Sequence, residues 1–203
     1  MSPAKPRRPT RTSDDRRGDI ARAAVKILQT EGYAALTARK VAAEADISLG
    51  HISYHFRDMD EVLAEAYRMA SGRLREATAE GLDLSAKTPM AQVKAFIWAG
   101  FSEDFLRPEH LRMRIDLWSA SLAHPEIAEA ERALYQRYRD DFERLLAAVA
   151  GDDPARRARI TQVSDTVMAT LDGLWLDWMR RRDAKAVEHG LGTSLLIIEQ
   201  LLA

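Results

Sequence analysis

The chain has 203 residues and a formal net charge of −1, enough length for one large domain or for a small head joined to a larger body. It contains no cysteine, which excludes disulfides, thiolate metal sites and a cysteine nucleophile and makes a reducing cytoplasm its simplest setting. The longest strongly apolar run, Leu195 to Ile198, is far too short to span a bilayer, and the basic N-terminus has no apolar run behind it that would make a secretory signal.

The near-neutral total hides an asymmetry. Residues 1–58 hold eleven Lys and Arg against seven Asp and Glu, whereas the remainder holds nineteen against twenty-four. A basic head on an acidic body is the pattern of a nucleic-acid binder with a separate sensory or assembly domain. Leu and Ala outweigh the β-branched residues and no stretch alternates as a strand would, so the fold class expected is all-α, with about nine helices.

Residues 1–13, rich in Pro and Arg, cannot bury a core and read as a flexible basic arm, either idle or adding phosphate contacts. A first helix is expected from Ser13 or Asp14 to Glu31, with Ile20, Ala24, Ile27 and Leu28 on one face and Gly32 as its stop. Tyr33 and Leu36 bridge to a second helix, Ala38 to Ala45, capped by Thr37 and turned inward at Val41, Ala42 and Ala45. A turn at Asp46 and Ile47 lets Ser48 cap a third helix, and Ile47 and Ile52 peg the two helices together. Gly50 costs a helix interior roughly 0.8–1 kcal/mol relative to Ala, which points to a large object approaching closely there.

The first three helices form an expected head over residues 14–58; a body of residues 59–203 follows. A fourth helix, about Met59 to Glu80, carries Val62, Leu63, Ala66, Tyr67, Ala70 and Leu74 on one stripe, and Gly81 to Pro89 reads as a break. Further helices are expected at about Met90 to Leu106, Glu109 to Ala123 and from Pro125 to about Ala150, with Gly151-Asp152-Asp153-Pro154 as a breaker. Two final helices carry apolar stripes, Ile160, Val163, Val167, Leu171, Leu174 and Trp178, then Val187, Leu191, Leu195, Ile198 and Leu202. These stripes fit packing on the body and, equally, an intersubunit four-helix bundle that makes a homodimer.

Leu36 to Phe56 has the layout of a helix-turn-helix whose second helix enters the major groove. Within it His51 and Ser53 are candidates for the base edges, Thr37, Arg39, Lys40, Ser48 and Tyr54 for phosphates, Gly50 for a close approach of backbone or base edge, and His55 completes the DNA-facing set. His51 and His55 stand four apart, a spacing that suits a metal, but no third ligand accompanies them, and neither metal nor cofactor is expected. In the body Trp98, Phe101, Asp116, Trp118, Tyr135, Tyr138, Asp172 and Trp175 fit either core packing or an aromatic, acidic pocket that would hold a cation through its ring faces.

Over its whole length the sequence resembles the TetR family of transcriptional regulators. The likeness is carried by Ala34-Ala35-Leu36-Thr37, Val41-Ala42-Ala43-Glu44-Ala45, Ile47-Ser48, Gly50-His51-Ile52-Ser53-Tyr54-His55-Phe56 and Asp60-Glu61-Val62-Leu63. Trp118-Ser119-Ala120-Ser121, His124-Pro125 and Leu171-Asp172-Gly173-Leu174-Trp175-Leu176 resemble the BetI-like branch, more loosely. The resemblance implies a homodimeric repressor on a palindromic DNA operator, released by a small-molecule inducer, with a quaternary ammonium compound such as choline as the one suggested. The family commonly has a Lys at the start of the fourth helix to meet a phosphate; here Met59 stands in that place, and Arg57 is the candidate substitute. No nucleophile elbow, phosphate-binding Gly loop or zinc signature appears, so no enzyme is expected. A helical small-molecule carrier is the alternative, one that would have no use for a basic head.

Overall fold

In the computed structural model, residues 13–85 and 88–203 are described, apart from the side chains of Leu74 and of residues 77–85. The arm expected over residues 1–13 lies outside them except for Ser13, which opens α1 (Ser13–Thr30). A short 3-10 turn at Tyr33–Ala35 leads to α2 (Ala38–Glu44), α3 (Leu49–His55) and the long α4 (Met59–Ser85). The body adds α5 (Pro89–Ala99), α6 (Pro108–Ala123), α7 (Pro125–Ala150), α8 (Pro154–Arg157), α9 (Ile160–Arg181) and α10 (Ala184–Leu202). The described residues are all-helical, as their composition implies; the short α8 is the helix the sequence did not announce.

Local signals explain most boundaries. Gly32 ends α1 with φ 83°, a conformation in which a Cβ would be strained. Asp46 takes φ 52° between α2 and α3, a left-handed geometry that a short polar side chain tolerates. Pro89, Pro108, Pro125 and Pro154 each occupy the first turn of a helix, where a missing N–H costs nothing. These prolines read as breakers in the sequence, and they are also the starts of the next elements.

Two expectations need correction. Helix α4 runs through Gly81 to Ser85, because one glycine weakens a helix by about 1 kcal/mol without stopping it. Helix α5 stops at Ala99, short of Leu106. The carbonyls freed in the α5–α6 connection are taken by α9: the Trp175 indole N–H donates to Gly100 O at 2.9 Å and that of Trp178 to Leu106 O at 3.0 Å. Of the two readings offered for the stripes of α9 and α10, packing on the body holds for most of their residues, with Val163, Val167, Leu171, Val187, Leu191, Ile198 and Leu202 all buried in the body core beside Phe96 and Phe142.

Head and body share a core. Ile20, Ala24 and Leu28 of α1, Val41 of α2 and Ile52 of α3 pack with Val62, Leu63 and Tyr67 of α4, and the same cluster continues into Met113, Leu117 and Ala120 of α6 and Ile127 of α7. A displacement of α4 or α6 is therefore felt by α1 without passing through a flexible linker.

Candidate nucleic-acid interface and effector cavity

The α2–turn–α3 unit is held from within by Val41, Ile47 and Ile52, and by the Ile47 N–H donating to Ala42 O at 3.0 Å. Thr37 caps α2 as its sequence position suggests, its Oγ1 accepting from Lys40 N at 3.3 Å. Ser48 stands at the N-cap of α3, but its hydroxyl is hydrogen-bonded to His51 Nδ1 at 2.8 Å and makes no backbone cap. With Ile52 and Phe56 turned inward, α3 presents Leu49, Gly50, His51, Ser53 and Tyr54 outward. Tyr54 is 82 % exposed, so packing beside Phe56 is not its role.

A surface hollow beside α3 gathers Ser48, Gly50, His51, Tyr54 and His55 with Ser13 and Arg16 of α1. Within the chain, Gly50 has open space where a Cβ would stand, so nothing on the protein side demands a glycine. His55 is half-buried near Ser13 Oγ, and its pKa is lowered, first by desolvation and then by His51, Arg16 and Arg17, which favours a neutral ring. Arg39 is exposed. Lys40 is engaged with Glu31 in an ion pair, and Arg57 is held by Glu61 and, across to α7, by Glu126 Oε2 at 3.1 Å.

Arg16 and Arg17 escaped the sequence reading. Arg17 donates to His55 O and to Glu61 Oε1, the latter at 3.0 Å, and lies 4.1 Å from the Phe56 ring centroid, so it clamps the end of α3 onto α4. Their signal was the Arg pair in the first turn of α1, one turn of helix before Ile20 enters the core.

A partly open cavity of about 130 Å³ lies between α4, α6, α7 and α9 of the body and Val25 and Gln29 of α1, well above the roughly 10–15 Å³ that one water needs. Of the eight sequence candidates it brings together Trp118, Tyr135, Tyr138, Asp172 and Trp175. Phe101 stacks on Trp175 with centroids 5.3 Å apart, outside the lining, and Trp98 sits in the body core under Lys94. Asp116 is turned away: its Oδ2 accepts the Tyr33 backbone N–H at 2.8 Å, fastening the head to α6.

The sequence reading missed Arg114. Its guanidinium carbon lies 3.4 Å from the Trp175 ring centroid and 5.9 Å from that of Trp118, over the faces that were offered to a ligand cation. Desolvation draws its pKa down to about 10, countered by Asp172, Tyr138 and Glu131, so it stays charged at neutral pH. Burial pushes the Asp172 carboxyl up to about 6, Arg114 opposing and Glu131 adding to the rise. Tyr67 of α4 lines the same cavity, and its hydroxyl has no hydrogen-bond partner among the described residues.

Residues 20–66 match the family described as bacterial regulatory proteins, tetR family, and residues 89–202 the family described as BetI-type transcriptional repressor, C-terminal. The HTH-type transcriptional regulator BetI of Stenotrophomonas maltophilia (strain R551-3) is 29% identical over 165 residues, 79% of this chain and 80% of that protein. Among solved structures, a TetR transcription regulator from Haloarcula marismortui ATCC 43049 superposes with a TM-score of 0.77 at 16% identity, over 94% of this chain and 100% of that one. A regulator-like protein from Saccharomonospora viridis, solved in complex with choline, superposes with a TM-score of 0.71 at 17% identity, over 92% of this chain and 96% of that one.

Proposed function

The chain belongs to the TetR family of transcriptional regulators, with a BetI-type C-terminal domain, and from that premise we propose that it is a ligand-responsive repressor. Two copies bind an approximately palindromic operator, with recognition helices in successive major grooves roughly 34–36 Å apart. Base reading falls to the outward residues of α3, chiefly His51 and Ser53, with Tyr54, Ser48, Thr37 and Arg39 on phosphates and Arg16 beside them. Lys40 and Arg57 reach a phosphate by exchanging a carboxylate partner for it.

The observation that carries ligand control is the double membership of α4. Tyr67 packs in the core shared with the head and also lines the body cavity, so a molecule that displaces Tyr67 displaces the floor on which α1 rests. By linkage, such a ligand weakens DNA binding as far as its affinities for the two arrangements differ.

The homodimer of this reading forms through the outer faces of α9 and α10. Leu196 of α10 and Met179 of α9 are 56% and 41% exposed, and nothing approaches Gly173 or Gly192 within 4 Å. Small residues and exposed apolar side chains on adjacent helices suit close helix–helix packing with a second copy. A quaternary ammonium inducer draws its support from the choline-bound neighbour, and in this cavity it would share the aromatic faces with the Arg114 guanidinium.

Selection from a random DNA pool by the full chain, followed by footprinting, tests the reading. A two-fold symmetric consensus is the expected result. Failure to enrich any sequence sinks it.

A further inference from the structure

The cavity already contains a cation, and that cation lacks an acceptor. Arg114 makes neither a hydrogen bond nor an ion pair among the described residues; its close contacts are the faces of Trp175 and Trp118. Asp172 and Glu131 act on it through space, within the same cavity lining. A guanidinium carries five N–H donors in a planar fork, and buried donors of this kind are normally paired. On α4 the Tyr67 side chain is 2% exposed and its hydroxyl is likewise unpaired. The groups that act on that hydroxyl are Asp116 and Tyr33, on the side of the head, so the half-buried Arg114 guanidinium is the donor that the cavity itself offers to an acceptor.

We propose that the effector is an organic monoanion, a compact apolar body bearing one carboxylate that accepts from the Arg114 guanidinium. This deepens the ligand-responsive reading above and rests on it. A carboxylate matches the guanidinium fork in a bidentate pair. The apolar body meets Met113, Leu117, Leu134, Met168, Leu171 and the ring of Phe105, which make the rest of the lining largely hydrocarbon. A single charge is specified because the lining sets Arg73, Arg75 and Arg114 against Asp172 and Glu131, an excess of one positive charge that one carboxylate neutralises. A ligand cation, in contrast, would enter beside a charged guanidinium that already covers Trp175. Tyr67 of α4 lines the same cavity, so the apolar body that fills it presses on the helix that carries the head.

Titration calorimetry on the full chain without DNA tests this, using phenylacetate, 4-phenylbutyrate and octanoate, their methyl esters, and choline. At least one carboxylate should bind, and its ester, which keeps the shape but loses the charge, should bind weaker by about tenfold or more. Arg114→Gln should weaken the carboxylate by a similar factor. Arg114→Lys, which keeps the charge but loses the planar fork, should weaken it several-fold and serves if Arg114→Gln fails to fold. Binding of choline in preference to all three acids, esters equal to acids, no acid bound, or a folded variant that binds the acid unchanged would each overturn the proposal. Since these measurements contain no DNA, they separate from the operator selection: a chain that binds an acid but no DNA retains the anion site and loses the repressor role.

Discussion

His124, at the junction of α6 and α7, hydrogen-bonds through Nδ1 to Asp60 Oδ2 of α4 at 2.8 Å, while its Nε2 meets the Tyr33 hydroxyl at 3.2 Å. One half-buried imidazole thus joins the α6–α7 junction both to the head, at Tyr33, and to α4, at Asp60. His124→Ala removes both links, and hydrogen bonds of this kind contribute roughly 0.5–1.5 kcal/mol each. The variant should lose about 1–2 kcal/mol in denaturant unfolding and bind DNA less tightly, with its ligand affinity in the body changed little. Unchanged stability would mean the two bonds are made to water with equal ease.

Readout and anchoring on α3 separate by substitution. Tyr54→Phe removes an exposed hydroxyl and should weaken all selected DNA sequences alike, whereas His51→Ala should relax preference at one base position. Repeating the DNA selection with each variant decides. A His51→Ala consensus identical to that of the parent removes His51 from base reading.

Leu196→Glu places a charge on the outer face of α10, where 56% of the residue is exposed, so the fold of the single chain should survive. Sedimentation velocity should then show a monomer where the parent is a dimer, and the variant's DNA affinity should fall by orders of magnitude because two half-sites no longer bind together. A variant that remains dimeric would put the interface elsewhere.

The buried carboxyl of Asp172 makes a pH prediction with a definite sign. Its pKa, pushed up to about 6 by burial, compares with about 3.9 in an unfolded chain. Between about pH 4 and pH 6 the folded chain keeps a proton that the unfolded chain has lost, so rising pH lowers stability across that window. Completed, the loss is on the order of 3 kcal/mol relative to an Asp172→Asn variant, which has no such titration. Chemical denaturation of both proteins at pH 4 and pH 7 measures the difference; parallel behaviour of the two would place Asp172 in a wetter setting.

Much of the head was legible because its signals are local. Gly32 as a stop, Thr37 as a cap, Asp46 at the turn and the pegs Ile47 and Ile52 depend on residues within a few positions of each other. The body was legible as helices, less so as ends. Where α5 stops is decided by two indoles on α9, some seventy residues away in the chain, and no window around Ala99 contains them. The stripes of α9 and α10 allowed two readings for a related reason: helical periodicity shows that a face is apolar, and only the fold shows that the neighbours α5 and α7 take most of that face for the chain's own core.

The contrast is sharpest at α6. Arg114 and Asp116 are two residues apart, so helical geometry turns them to nearly opposite sides, and that much the sequence by itself determined. It did not say which side was which, and the acid, as the chemically attractive partner for a cation, was assigned to the pocket. Tertiary structure decided otherwise, because α6 lies between α1 and α9. Asp116 faces the head and fastens Tyr33, while Arg114 faces the cavity and covers Trp175. The same two residues, exchanged in role, change the charge that the cavity presents to its ligand.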